Sequence, residues 1–228
     1  MDKFSGFPKE SINFYKELSL NNNKRWFDDH KDDYENFVLK PARHFVYEMG
    51  NKLKTISPKI IADPRINKSI FRIFRDVRFS KDKTPYKTHL GLWFWEGDRK
   101  RMECSGYYLQ IEPDSILLGT GIYMFPKNLL ETYRNALASE KFGKQFSSAV
   151  KKITDTGIYH IGGKSLKKIP RGYESNNKNA EFLLFEGLYS GFSTEIPDAF
   201  FNETFIDYCM AHYIKMRPLH DWIVEIFS

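Results

Sequence analysis

Between positions 72 and 87 the chain reads Arg-Ile-Phe-Arg-Asp-Val-Arg-Phe-Ser-Lys-Asp-Lys-Thr-Pro-Tyr-Lys, a stretch with six basic side chains. Guanidinium groups hold carboxylate and phosphate oxygens through paired, charge-assisted hydrogen bonds, so this density reads as an anion site or as a structural ion network. Alternation predicts a strand from Ser69, with Phe71, Ile73, Val77 and Phe79 on one parity and Arg72, Phe74, Asp76 and Arg78 on the other. On that register Asp76 and Arg78 are same-face neighbours about 6.6 Å apart along the strand, close enough for the carboxylate to fix the guanidinium. Asp76 is alternatively a general base. His89, with an ordinary pKa of about 6.5, is the more natural proton-transfer group if it reaches the same face. Arg75 falls on the apolar parity and is expected in a structural ion pair with a distant carboxylate, or rotated out by a bulge.

The elements that would position these groups follow from periodicity. Leu90 to Trp95, Tyr107 to Glu112 and Ile116 to Phe125 read as further strands, joined by links short enough for an antiparallel meander. With the apolar parities on one face, the other carries Arg72, Asp76, Arg78, His89, Trp93, Tyr108, Gln110, Glu112 and Tyr123. Gly91, Gly119 and Gly121 share that parity and would leave room above the sheet. Lys83 and Lys87, with Tyr86 between them and Pro85 as stiffener, sit in the connection Ser80 to Thr88 and raise the positive potential at one end. Arg171, in Lys167 to Tyr173, is placed to complete a clamp. The expected ligand set is Arg72, Arg78, Lys83, Tyr86, Lys87, Tyr108, Gln110, Tyr123 and Arg171, around a small phosphate- or carboxylate-bearing molecule. The competing reading has this face packed under helices with its charges internally paired.

Helical spacing predicts a helix after Pro8, then two helices or one kinked at Pro41, ending before Pro58. Beyond Pro126 two more follow. Gly157 to Ser175 reads as irregular, Phe182 to Ile196 as a short helix and a strand, and Asp198 to Met216 as a closing helix stopped by Pro218. The fold class is α+β, one domain over residues 1–228, an antiparallel meander packed with N- and C-terminal helices.

Composition bounds the rest. Hydrophobic residues at 41% and charged at 28% are ordinary for a globular chain, and 16% aromatic favours large packed side chains. The formal charge of +6 makes attraction to polyanions reasonable, since counterion release favours any basic surface. Cys104 and Cys209 stand alone, so neither a disulfide scaffold nor a metal site is expected. Gly162-Gly163-Lys164-Ser165 lacks the first glycine of a phosphate loop, Gly119-Thr120-Gly121 lacks the third of a dinucleotide fingerprint, and no cofactor is expected. With no apolar leader in Met1 to Pro8 and no run of about 18 apolar residues, the expectation is a cytoplasmic protein without a membrane partner.

The run Arg72-x-x-Arg75-Asp76-x-Arg78-Phe79 with Lys83 and Tyr86 resembles the signature of a bacterial domain family of unknown function, DUF2461. Asn22-Asn23-Lys24-Arg25-Trp26-Phe27, Gly119 to Tyr123 and Pro170-Arg171-Gly172-Tyr173 are similar to its other recurrent segments, so the resemblance spans nearly the whole chain. It implies one α+β domain of about this length and assigns no catalytic residue. The favoured expectation is a protein, enzyme or not, that binds a small anion at the Arg/Lys-rich strand and loop; the alternative is a nucleic-acid-binding module using diffuse basic surface and exposed aromatics.

Overall fold

The computed structural model describes residues 3–228. Pro8, extended at φ −70°, leads into α1 (Lys9–Leu20), which buries Ile12, Tyr15 and Leu18 at helical spacing. The Asn23 side chain accepts the Trp26 N–H and caps α2 (Lys24–Asp29). After a turn at His30, one helical run continues through α3 (Lys31–Asp33), a π-helical stretch Tyr34–Leu39 and α4 (Lys40–Leu53). Pro41 explains the π stretch. It has no N–H to give the Phe37 carbonyl, and its ring would crowd that oxygen, so a regular α turn is not available there. The helix widens instead: the Lys40 N–H reaches back five residues to the Glu35 carbonyl, and the buried Ser11 hydroxyl donates to the released Phe37 carbonyl.

The strands are β1 (Ile60–Ile61), β2 (Leu90–Glu96), β3 (Ser105–Ile111), β4 (Ser115–Ile122), β5 (His160–Lys164) and β6 (Phe185–Glu195), in the sheet order β1-β2-β3-β4-β6-β5. The remaining helices are α5 (Lys127–Ala138), α6 (Glu140–Thr154) and α7 (Phe205–Phe227), with short 3-10 turns at Arg101–Glu103, Ala180–Leu184 and Asp198–Phe201. Helices flanking an antiparallel sheet make the fold α+β, as the periodicity predicts. Contacts group the residues into two compact units: residues up to Phe94 with Tyr108–Leu117 and Ser193–Met210, and Trp95–Tyr107 with Leu118–Phe192 and Ala211–Ser228.

Aromatic rings fill both cores. In the first unit Phe7 stacks on Phe200 at 5.0 Å and meets Phe4, Phe45 and Phe205 at 5.4 to 6.1 Å. In the second, Phe146 lies 4.8 Å from Trp222, whose indole N–H donates to the Phe142 carbonyl at 2.9 Å.

Three expectations need correction. Residues 71–79 are not a strand: only isolated bridges form, Ile70 to Leu92 and Phe74 to Tyr86. Between those bridges one side advances four residues and the other six, so the ladder carries a two-residue surplus, and Pro85 has no N–H to continue it. The parity is also inverted, because the Phe71 ring meets Tyr108 edge-on at 6.1 Å, where Arg72 was expected. β5 appears in the stretch read as irregular, antiparallel to β6. Its glycines serve contact: a Cβ on Gly163, at φ +119°, would stand 2.1 Å from the Gly187 carbonyl oxygen. Finally, α7 runs through Pro218 to Phe227. The carbonyl that Pro218 leaves without its helical donor is that of Ile214, and Leu219, Trp222 and Ile223 beyond it are buried and hold the helix in place.

Candidate functional site

The arginine segment and its loop fold back on each other in the first unit. The Arg75 N–H donates to the Pro85 carbonyl and the Lys87 N–H to that of Ile73. Lysine tips close the same gap: Lys83 Nζ donates to the Val77 carbonyl at 2.9 Å and Lys87 Nζ to that of Arg72 at 3.0 Å. Within this frame Arg78 grips Asp76 with two parallel bonds, Nε to Oδ1 at 2.9 Å and Nη2 to Oδ2 at 2.7 Å. Those bonds hold the Asp76 carboxyl down at about 2, so it is ionised and a poor proton acceptor near neutrality. The general-base expectation for Asp76 therefore has little chemistry behind it. The partner of Arg75 is not distant: Nη1 donates to Asp82 Oδ2 at 2.6 Å, and also to the Thr84 hydroxyl and carbonyl. The Thr84 N–H and hydroxyl, then Arg75, lower the Asp82 pKa.

Charge is concentrated in this segment. Residues 68–87 carry seven lysines and arginines against two aspartates. Arg72, Arg78, Lys81 and Lys83 are exposed, and the Phe79 ring is 94% exposed, with the Arg78 guanidinium 5.8 Å from its centroid.

A second motif docks here. The Asn22 side chain bonds the Tyr86 backbone like a strand partner, Nδ2 to the carbonyl at 2.9 Å and Oδ1 from the N–H at 3.1 Å. Phe27 stacks on the buried Tyr86 ring at 4.3 Å, and Phe74 packs on Tyr86 at 5.3 Å. Two of the four family-like segments, Asn22 to Phe27 and Arg72 to Tyr86, thus form one structural unit, and the first brings exposed Lys24 and Arg25. Tyr86, expected to touch ligand, is instead the buried anchor of the loop. Sequence reasoning missed this joint because its partners stand 64 residues apart.

The polar row that starts on β3 is linked end to end. Tyr108 donates to Gln110 at 2.7 Å, Gln110 to Glu112 at 2.6 Å, and Ser115 to Glu112 at 3.1 Å. Burial first, then the Glu112 charge, pushes the Tyr108 hydroxyl up in pKa. The room expected over Gly91 is taken, since a Cβ there would meet the Tyr108 hydroxyl at 3.0 Å and the Phe71 ring at 3.1 Å. His89 is mostly buried; desolvation and then Lys87 lower its pKa against the opposing pull of Glu112, which keeps it neutral near pH 7.

Tyr123 and Arg171 belong to the second unit and are not among the groups the first unit brings together. Tyr123 is 72% exposed and stacks on Tyr189 at 5.7 Å. Arg171 is exposed beside Gly172, which takes φ +90°, and Tyr173 donates to Asn135 at 2.9 Å. The second unit also holds a buried chain that the sequence did not reveal: His220 lies 2.9 Å from the Ser105 hydroxyl through Nδ1 and 3.1 Å from Glu96 through Nε2. With His220 and Ser105 at 1% and 2% exposure this is a structural network with no substrate access. Among the described residues no group of His, Cys, Asp and Glu could hold a metal ion, and no helix is long and apolar enough to cross a membrane.

These features define an α+β protein whose candidate site is a basic surface loop clamped to its N-terminal helices. The chain belongs to the DUF2461 family, described as a conserved hypothetical protein, which it matches over residues 10–222. No curated protein matches it in sequence.

Proposed function

We propose that the Arg72–Lys87 segment binds a polyanion, single-stranded nucleic acid in particular. The observation that carries this reading is Phe79, an almost fully exposed ring set among Arg78, Lys81 and Lys83. Bases stack on exposed rings while phosphates pair with adjacent cations, and each base stacked this way contributes about 1–3 kcal/mol. An enclosed small-molecule site would need guanidinium groups converging on a cavity. Here Arg75 and Arg78 are instead held by the carboxylates of their own segment, and Arg72 and Arg78 face solvent. A small phosphate- or carboxylate-bearing ligand is the second reading, favoured by Lys83, whose ammonium is met by a backbone carbonyl and by no carboxylate among the described residues.

The Arg99-Lys100-Arg101 run is a poorer polyanion surface than its composition suggests. Arg99 donates to the Phe227 carbonyl at 2.5 Å, and Arg101 is partly buried. Anisotropy titrations of labelled single-stranded RNA and DNA at about 0.15 M salt test the proposal. Binding should weaken steeply with salt, fall about tenfold in Phe79→Ala and in Lys83→Glu, and be unchanged in Lys100→Glu. Absence of binding, or indifference to Phe79→Ala, refutes it; stabilisation by inorganic phosphate without nucleic-acid binding would favour the second reading.

A further inference from the structure

A cleft of about 440 Å³ in the first unit lies far along the chain from the arginine segment, lined by the lead-in before α1 and by the helical run that Pro41 deforms. One part of its lining is apolar: Phe4, Phe7, Pro8, Pro41 and Phe201. The other is polar and cationic: Lys3, Ser5, Asn36, Lys40 and His44. Among the described residues no carboxylate lines it. Two acids of the flanking helix are engaged elsewhere, Glu35 paired to Arg43 and Glu48 accepting the Phe4 N–H at 2.6 Å. Neither Lys3 nor Lys40 makes an ion pair among the described residues.

Two observations mark the cleft as built. The lead-in is fixed by the Phe7 N–H bond to the Phe200 carbonyl at 3.0 Å and by Gly6, whose φ of +103° suits glycine and whose Cβ would stand 2.3 Å from the Asn202 nitrogen. Opposite it, Asn36, Lys40 and His44 recur every fourth residue as a stripe, and Asn36 lies within the π stretch. π turns are rare and concentrate at functional sites, where the extra residue re-aims side chains. Two ammonium groups, an imidazole, an amide and a hydroxyl beside the 38% exposed Phe201, with Phe4 and Phe7 packed behind the surface, form a receptor for an anionic head on a compact apolar body.

We infer that this cleft binds a small amphiphilic oxyanion, a phosphate or carboxylate carried on a compact apolar group. The inference is independent of the polyanion reading. Amide NMR titrations of the full chain with phenyl phosphate, benzoate and inorganic phosphate test it. Shifts should centre on Gly6, Asn36, Lys40 and His44, and phenyl phosphate should bind at least about tenfold tighter than inorganic phosphate because its ring packs on the exposed Phe201. The tighter of phenyl phosphate and benzoate identifies the head group. Lys40→Glu, at an exposed position that keeps the fold, should weaken binding about tenfold or more, and His44→Gln about threefold. Lys83→Glu should leave this site unchanged, which separates it from the arginine segment. No cleft shifts at about 10 mM ligand, shifts confined to residues 72–87, or equal affinity for phenyl and inorganic phosphate would each overturn the inference.

Discussion

Asn22→Ala is the sharpest test of how the basic loop is held. The side chain supplies both hydrogen bonds to the Tyr86 backbone, at 2.9 and 3.1 Å, and Tyr86 is 3% exposed. Each neutral bond is worth about 0.5–1.5 kcal/mol net, and a buried group left without a partner costs about 1–3 kcal/mol. Asn22 is only half-buried, so water can replace part of what is lost, and the expected destabilisation is about 2–3 kcal/mol. For a chain of this size that lowers Tm by about 4–12 °C. Denaturant unfolding gives the total, and hydrogen exchange localises it: the Tyr86 amide should lose protection while the amides of β3 keep theirs. Asn22→Asp retains the acceptor for the Tyr86 N–H but sets a carboxylate against its carbonyl. It should be at least as damaging near pH 7 and partly recover once the acid is protonated. A loss below about 0.5 kcal/mol in Asn22→Ala with the Tyr86 amide still protected would refute the anchoring argument.

Other expectations are as direct. In a carboxylate titration followed by NMR, Asp76 should titrate at about 2 and move up toward the ordinary range in Arg78→Met. Because its folded pKa is depressed, its contribution to stability is present above the unfolded value and is lost as pH falls toward 2. Asp82→Ala should lower the urea midpoint only slightly, because Asp82 is exposed and Thr84 still receives the Arg75 guanidinium. His220→Ala should cost about 3–5 kcal/mol, since it opens a cavity and strands the buried Ser105 hydroxyl; a loss under 1 kcal/mol would show the network to be dispensable.

What was legible in the sequence was whatever is local. The strands β2 to β4 announce themselves by alternation and by the turn at Pro113-Asp114, and the helices by spacing. The segment 71–79 alternates just as well, but whether an alternating segment forms a ladder depends on its partner, and the two-residue surplus between Tyr86 and Leu92 is invisible from residues 71–79 alone. The Asp76–Arg78 pair was foreseen because its members stand two positions apart; the Arg75 partner was expected far away, although Asp82 comes within reach once the loop turns back. β5 was hidden because Gly162 and Gly163 look like loop residues, yet both stand where a side chain would collide with β6. The cleft draws on the lead-in, the π stretch and the turn before α7, and no motif joins residues so far apart.

The π stretch beside Pro41 has a consequence for tolerance to insertion and deletion. An ordinary helix that loses a residue turns everything beyond the gap by about 100° and exposes its apolar stripe, so such changes are normally purged. This helix already holds one residue more than an α turn needs, in a segment where Ser11 takes up the spare carbonyl. Removing a residue between Tyr34 and Leu39 would let the run close as plain α-helix with Phe45, Met49 and Leu53 still facing inward, provided Pro41 is replaced at the same time by a residue with an N–H. Made alone, either change leaves a fault. The extra residue and the proline therefore constitute a compensated pair, to be gained or lost together as the sequence diverges.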